Sequence, residues 1–495
     1  MSFSAPTASS PAHKTAILAI ILISFFMVIL DNSIIFTGLL AIQESMQFSE
    51  TGLAWVQDAY TLTFGGFLLL AARAGDILGR RRMFVIGLVI FTVASILVGI
   101  ATDSTFMIAA RALQGIGSAI VAPTSLALLL ATFAEGKERS RAVALYAAVA
   151  GIGASVGLIL GGAFAELVSW RAGFFLNLPI GIVMLFLTVK YVRELPRTSG
   201  RFDVFGAIAS TLGLSALIFG IVNTAVDGWT APATIIALTA GVVLLVVFVV
   251  NEWRVPQPIM PLRLFASPIR SGALAIRLLY MGAFIGFFYF ITQYLQGVLG
   301  WTPLQAGLGF LPMTVINFAV AMAVTPVITR IGSLWTLALG VASTFAGMAW
   351  LGFLDADTSF VIGLAIPMML IGAGQGLALA PMTDYALHGV HPDEAGAASG
   401  LVNTAQQLGL SLGLAILVAV SATAATAANP VADLVATVQI GVIGAAIMLA
   451  IALVIVVAVI VPGEIASRRR GIGEGRDSST APVAPVATVE TVVAH

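Results

Sequence analysis

From Thr15 to Val461 the chain alternates long apolar runs with short polar loops. Fourteen runs stand out, at about 15–40, 52–72, 84–102, 105–133, 142–165, 173–192, 204–225, 231–250, 272–298, 304–328, 334–354, 360–386, 397–422 and 436–461. Their lengths are those of segments that cross a bilayer, which takes roughly 20 apolar residues as a helix. A backbone facing lipid must satisfy its own hydrogen bonds, so the runs are read as helices. The period-2 alternation of an outer-membrane barrel is absent. The expected fold class is an all-α integral membrane protein with 14 transmembrane helices.

Composition agrees. Hydrophobic residues make up 59% of the 495 and charged residues only 9%, against about 25% charged in an ordinary soluble domain. Lys+Arg equals Asp+Glu, which gives no reason to expect a nucleic-acid partner. With no cysteine, disulfides and thiol chemistry are excluded. The start, MSFSAPTASSPAHK, has no leader-peptide pattern, and the run after it is too long for a signal h-region, so it is read as a retained span.

Charge placement predicts orientation. Of 23 basic residues, 21 fall on one side of the alternating runs; only Arg111 and Arg171 do not. The opposite loops carry Glu44, Glu50, Asp103, Asp227, Asp355, Asp357 and Asp433. The positive-inside rule then puts both termini in the cytoplasm.

An internal repeat is also visible. A shift of 256 carries Glu138, Ala142, Leu145, Gly153, Ser155 and Gly157 onto Glu394, Ala398, Leu401, Gly409, Ser411 and Gly413. A similar shift brings Pro123 onto Pro381. Two six-helix bundles with two extra spans between them are expected, a plan in which the site lies near the midplane. The divisions are a tail at 1–14, a bundle at 15–192, a linker with spans 7 and 8 at 193–271, a second bundle at 272–461, and a disordered cytoplasmic tail at 462–495, where Arg468–Arg470 would anchor the last span at the anionic leaflet.

An ionisable group inside a span costs roughly 3 kcal/mol or more and marks a functional candidate. Asp31, Asp58 and Arg111 are such groups. At 1.5 Å per residue, Asp31 lies about 14 Å from the outer end of its span and the other two about 9 Å from theirs, so all three share one height. A carboxyl balanced between burial and a nearby guanidinium can take and release a proton as its surroundings change. Asp31, Asp58 and Arg111 are therefore the proton-coupling candidates, with Asp31 expected to face a central cavity. Helix-to-helix glue is the competing reading, and Asp58 could serve a cationic substrate instead. Arg277 can snorkel; Glu166 and Arg171 fall at an outer interface and Asp384 near a cytoplasmic end.

Further features carry less specific signals. RAGDILGRRRMF, Arg73 to Phe84, joins spans 2 and 3; Gly79 permits a tight turn, and Asp76 can cap a helix or pair with Arg80. Gly153, Gly157 and Gly161 line one face of span 5, where another helix can approach closely or slide. Gln114, Tyr289, Gln293, Asn317 and Gln375 are candidate cavity residues, although Gln and Asn in spans serve more often for helix packing. No metal cluster, nucleotide-binding loop or nucleophile–base arrangement is present, so no cofactor, nucleotide or enzymatic activity is expected.

Taken together, these residues resemble the major facilitator superfamily, and more narrowly its fourteen-span drug:proton antiporter branch, from about residue 15 to 461. The carriers are Leu30-Asp31, WVQDAYTLTF, RAGDILGRRRMF, RALQGIGSA, SWRAGFFLNLPIG, YLQGVLGWTPLQAGLGFLP and AGAASGLVNTAQQLG. The resemblance implies that Arg73, Asp76, Gly79, Arg80 and Arg81 help lock and release two bundles, and that Arg111, with Gln114 nearby, relays protons. It also implies that Gly153, Gly157, Gly161 and Gly162 form a helix-sliding motif. Two positions depart from the pattern: Ala72 stands where the loop motif opens with Gly, and Leu158 where the span-5 motif has a Pro that would kink the helix.

The expected function is a proton-coupled antiporter in the cytoplasmic membrane, acting as a monomer and exporting hydrophobic or cationic compounds. A dedicated exporter of one metabolite, lipid or antibiotic, a symporter, and a non-transporting sensor or scaffold are the alternatives.

Overall fold

The protein was analysed as a computed structural model, which describes residues 11–133, 137–194, 203–256, 258–390, 395–422 and 429–465. The Arg468–Arg470 anchor, most of the expected tail and Glu394 of the repeat lie outside the described residues.

The described residues fold into helices. In chain order the spans are α1 (Pro11–Met46), α2 (Trp55–Leu78), α3 (Arg80–Gly99), α4 (Ser104–Thr132), α5 (Lys137–Leu167), α6 (Asn177–Tyr191), α7 (Val204–Val226), α8 (Pro232–Arg254) and α9 (Pro268–Gln293). After the short helix Pro303–Gly309, the stretch Leu311–Leu351 is helical on both sides of Gly332, whose φ of 85° breaks it into α10 (311–331) and α11 (333–351). Then follow α12 (Ile366–Ala386), α13 (Ala395–Ser421) and α14 (Pro430–Ile455). Acid-side turns are capped locally: Asp103 accepts from Phe106 N at 2.9 Å, and Thr302 and Gln305 form a reciprocal capping box.

Eleven stretches are long and apolar enough to cross a membrane, and α2, bent near its middle, makes a twelfth. Two more spans follow from packing. In the stretch counted once as Pro303–Leu351, Met313 and Asn317 meet Gly372 and Gly376, so α10 runs parallel to α12, whereas Gly340 and Gly347 meet Ala378 and Ile371, so α11 runs antiparallel to it. The chain therefore reverses at Gly332 and crosses twice. The other span is α5, continuous over 31 residues with no interior proline, as the leucine at 158 predicts.

The repeat is structural. Gly153 and Gly157 seat α5 on Ile29 and Leu30 of α1, and Gly409 and Gly413 seat α13 on Leu278 and Gly282 of α9. Gly115 and Gly117 of α4 meet Tyr60 of α2 and Phe91 of α3, just as Gly372 and Gly374 of α12 meet α10 and α11. Pro123 and Pro381 both sit inside their helices. Between the halves, α7 and α8 pack on each other, Gly213 and Gly220 against Leu244 and Leu238.

The halves join on the side bearing the acidic loops. Gly162 packs on Pro303 and Leu304, Gly307 on Leu158, and Glu166 accepts from Leu304 N at 3.1 Å. Gln296 Nε2 donates to Thr37 O at 3.0 Å, and Phe36 stacks on Phe288 at 5.3 Å between centroids. On another flank α2 meets α13, where Thr61 and Ser411 share a hydrogen bond and Gly65 faces Gln407.

These close approaches make a direct prediction. A Cβ on Gly413 would strike the backbone of Gly282, whereas Gly228 has open space around it and only its φ of 86° to strain a side chain. Gly413→Leu should lose the monodisperse gel-filtration peak, and Gly228→Ala should keep it with a cost of about 1 kcal/mol. A normal elution profile for Gly413→Leu would contradict this packing.

Candidate functional site

Five helices of the N-terminal half converge on one fully buried polar cluster. Asp31 (α1) and Arg111 (α4) form an ion pair, Nη1 to Oδ2 at 2.8 Å. Gln114, one turn along α4, donates to Asp31 Oδ1 at 2.8 Å, and Asn177 at the start of α6 donates to the same oxygen at 2.7 Å. Ser95 of α3 accepts from Gln114 at 2.8 Å and donates to Phe91 O. Arg111 also donates Nε–H to Val56 O of α2 at 2.9 Å and Nη1–H to Gln114 Oε1 at 2.7 Å. Its guanidinium lies 4.3 Å from the centroid of Tyr60, whose hydroxyl donates to Ser118.

The carboxylate thus accepts three side-chain hydrogen bonds without a water-exposed edge; Asp31, Arg111, Gln114 and Asn177 are all 0% exposed. Such a pair is tolerable in hydrocarbon because each charge is met by the other and by fixed donors. One guanidinium nitrogen, Nη2, has no hydrogen-bond partner among the described residues. It is a spare donor that a rearranged cluster could use.

The shared height predicted for Asp31 and Arg111 is realised as direct contact. The predicted direction is not. Asp31 does not face a central cavity: it projects among α3, α4 and α6, while its neighbour Asn32, bonded to Gln57 of α2 at 2.8 Å, and Phe36 lie toward the other helices. Depth along a helix sets height and leaves azimuth open.

Asp58 is separate from this cluster. On α2, Thr61 and Gly65 touch α13, while Leu62 and Gly66 touch α7. Asp58 precedes them by one turn, between those two faces. It is fully buried, and neither oxygen has a hydrogen-bond partner among the described residues. Arg111 reaches α2 at Val56 O and over the ring of Tyr60, and forms no ion pair with Asp58 among the described residues.

The expected loop motif is ordered inside one half. Asp76 pairs with Arg80 at 2.9 Å, Arg80 also reaches Ala127 O, and Gly79 turns the chain with φ 110°. Glu194 accepts from Arg81 N at 3.2 Å, Arg81 Nη2 reaches Val189 O at 2.8 Å, and Arg73 is half-buried at the same end of α2. Gly153, Gly157 and Gly161 form the bed for α1, and Gly162 touches the other half at Pro303.

The candidate cavity residues fare differently. Gln114 belongs to the buried cluster. Asn317 and Gln375 bond to each other at 2.6 Å, joining α10 to α12, and Gln293 donates to its own helix at Tyr289 O. Tyr289 is 2% exposed. These are packing contacts in this conformation. Asn177, Ser95, Tyr60 and Glu194 were not singled out from sequence; the stretch SWRAGFFLNLPIG contained Asn177, but a lone Asn at a helix start reads as a cap.

Residues 21–414 match the Major Facilitator Superfamily. The chain is 38% identical over 407 residues to the cephamycin export protein CmcT of Amycolatopsis lactamdurans, covering 81% of this chain and 84% of that one. It is 37% identical over 404 residues to the puromycin resistance protein pur8 of Streptomyces alboniger, covering 80% and 79%. Among solved structures, a bacterial homolog of the human lysosomal transporter Spinster superposes with a TM-score of 0.65 over 93% of this chain and 98% of that chain, at 14% identity, which speaks for the fold.

Removing one member of the pair should cost more than removing both. Asp31→Asn strands Arg111 and is expected to destabilise by about 3–5 kcal/mol, with Asp31→Asn/Arg111→Gln recovering part of the loss. Thermal unfolding in detergent reads this; a double variant less stable than either single one would contradict the pairing.

Proposed function

The chain belongs to the Major Facilitator Superfamily, making it a membrane transporter related to drug and antibiotic exporters, and we propose that it exports hydrophobic drug-like compounds, cationic ones included, in exchange for protons. The observation that carries this reading is the buried Asp31–Arg111 pair. A proton added to Asp31 removes the charge that Arg111, Gln114 and Asn177 hold in place. The guanidinium must then find new acceptors, and the packing of α1 against α4 and α6 changes with it. Because α1 also rests on the glycine face of α5 and meets the other half at Phe36 and Thr37, the protonation state of one carboxyl biases how the halves sit together. Alternating access through such a rocking motion is a recurrent transporter plan.

Proton and cargo then compete through one conformational equilibrium, and linkage makes the competition reciprocal. Asp58 is the second candidate acid, reached when α2 parts from α13. Both termini are assigned to the cytoplasm on the basic-residue asymmetry, and the working unit is taken as a monomer. Asp76, Gly79, Arg80 and Arg81 are assigned to stabilising one of the two states. The names of CmcT and pur8, each tied to one antibiotic, favour a second reading in which one compound is the dedicated cargo, whereas another relative of 35% identity is named as a multidrug resistance protein.

Inverted vesicles with an imposed pH gradient decide between these. Wild-type protein should accumulate a fluorescent lipophilic cation and lose it when the gradient is dissipated, and Asp31→Asn should fall by at least about tenfold. Gradient-driven transport that persists in Asp31→Asn would remove Asp31 from the coupling. Transport of one compound with no competition from unrelated ones would identify the dedicated exporter.

A further inference from the structure

Among the described residues of the C-terminal half, Arg277 is a buried arginine without a counter-charge. Arg277 lies nine residues into α9, about 14 Å from its basic end. Snorkelling would bring its head into water, yet the residue is only 8% exposed. Its guanidinium stops on two neutral acceptors: Nη1 donates to Thr383 Oγ1 of α12 at 3.1 Å and Nη2 to Gln406 Oε1 of α13 at 2.6 Å. Nε has no partner. Among the described residues Arg277 forms no ion pair, and the exposed Asp384 beside Thr383 does not supply one.

Its direction follows from the helix period. Arg277, Met281, Phe284 and Phe288 fall on one stripe of α9, and at the far end of that stripe Phe288 stacks on Phe36 of α1. The stripe therefore faces the N-terminal half. Glycine contacts place α13 on a different side of α9, at Leu278 and Gly282. Near Gln406, Asn403 is exposed between the face of α13 that touches α9 and the face that touches α2. An amide exposed within a span faces water or cargo in preference to lipid.

We propose that Arg277, with Thr383, Gln406 and Asn403 around it, is a binding subsite for the acidic group of an amphiphilic organic anion, whose apolar body lies along Met281, Phe284 and Phe288. A buried guanidinium held only by neutral groups is costly, and a carboxylate or phosphate offers it the fork-shaped partner that the fold withholds. The remaining charges do not oppose this. Asp31 and Arg111 neutralise each other, and Asp58 points between α7 and α13, away from the stripe. A cation placed against Arg277 meets repulsion, so this site widens the cargo beyond cationic drugs.

The inference rests on the transport reading, but equilibrium binding tests it without a gradient, so its failure leaves proton-driven transport standing. Full-length protein in phosphatidylcholine nanodiscs would be titrated with 1-naphthaleneacetate, its uncharged methyl ester and tetraphenylphosphonium. Wild type should bind the acid at least about tenfold more tightly than the ester. Arg277→Gln should abolish that preference without weakening ester or tetraphenylphosphonium binding. Arg277→Lys, which keeps the charge if the glutamine variant misfolds, should retain part of it. Equal binding of acid and ester by wild type, or a uniform loss for all three probes in Arg277→Gln, would overturn the proposal. In phosphatidylglycerol nanodiscs, loss of acid binding would identify a lipid headgroup as the occupant, and retention would identify soluble acids; both outcomes support an anion site.

Discussion

An ion pair closed off from water inside an apolar bundle is the constraint around which the N-terminal half is organised. Hydrocarbon offers neither charge a partner, so Asp31 and Arg111 must be held by each other and by fixed dipoles. That requirement reaches four helices besides α1: Ser95 from α3, Arg111 and Gln114 from α4, Asn177 from α6, and the Val56 carbonyl from α2. Such a cluster is stable only in one arrangement at a time. On the proposed coupling, changing its proton count changes which arrangement is best and so ties a chemical event to the placement of helices.

Transmission of that change depends on close packing. The face of α5 carrying Gly153, Gly157 and Gly161 lets α1 approach backbone to backbone, and Gly162, one residue on, meets the other half at Pro303 and Leu304. A single helix thus touches both the element that bears the acid and the closure between halves. The same joint is repeated where α13 rests on α9 through Gly409 and Gly413. The two joints are related by the repeat, yet the chemistry they border differs. The N-terminal joint borders a compensated pair, and the C-terminal one borders an arginine with no ion pair among the described residues. On the proposed roles, that asymmetry would separate a proton-handling half from a cargo-handling half within one repeated scaffold.

Much of this was legible in the sequence. Apolar run length marks spans reliably because lipid leaves the backbone no other choice. The common height of Asp31 and Arg111 followed from cost and depth, although which acid Arg111 meets did not, and the repeat followed from glycines that both halves need for the same packing. What stayed hidden is azimuthal or cooperative. Nothing in a single helix says that Asp58 turns toward α7 and α13 or that Asp31 turns away from the centre. Asn177 and Ser95 are ordinary residues until a carboxylate is brought beside them. Asn317 and Gln375 were open to both a ligand and a packing role; the structure uses them in a bond between α10 and α12. Arg277, read as a snorkelling side chain, is distinguished only by partners that arrive from two other helices.

On the proposed mechanism, cargo and a proton on Asp31 exclude one another. Proton release on cargo binding tests it most directly, with purified protein in weakly buffered detergent solution, a pH-indicator dye and a transported cation as ligand. Wild type should release protons in proportion to cargo bound, and Asp31→Asn should bind cargo with that release lost. Equal proton release from Asp31→Asn and wild type would contradict the account.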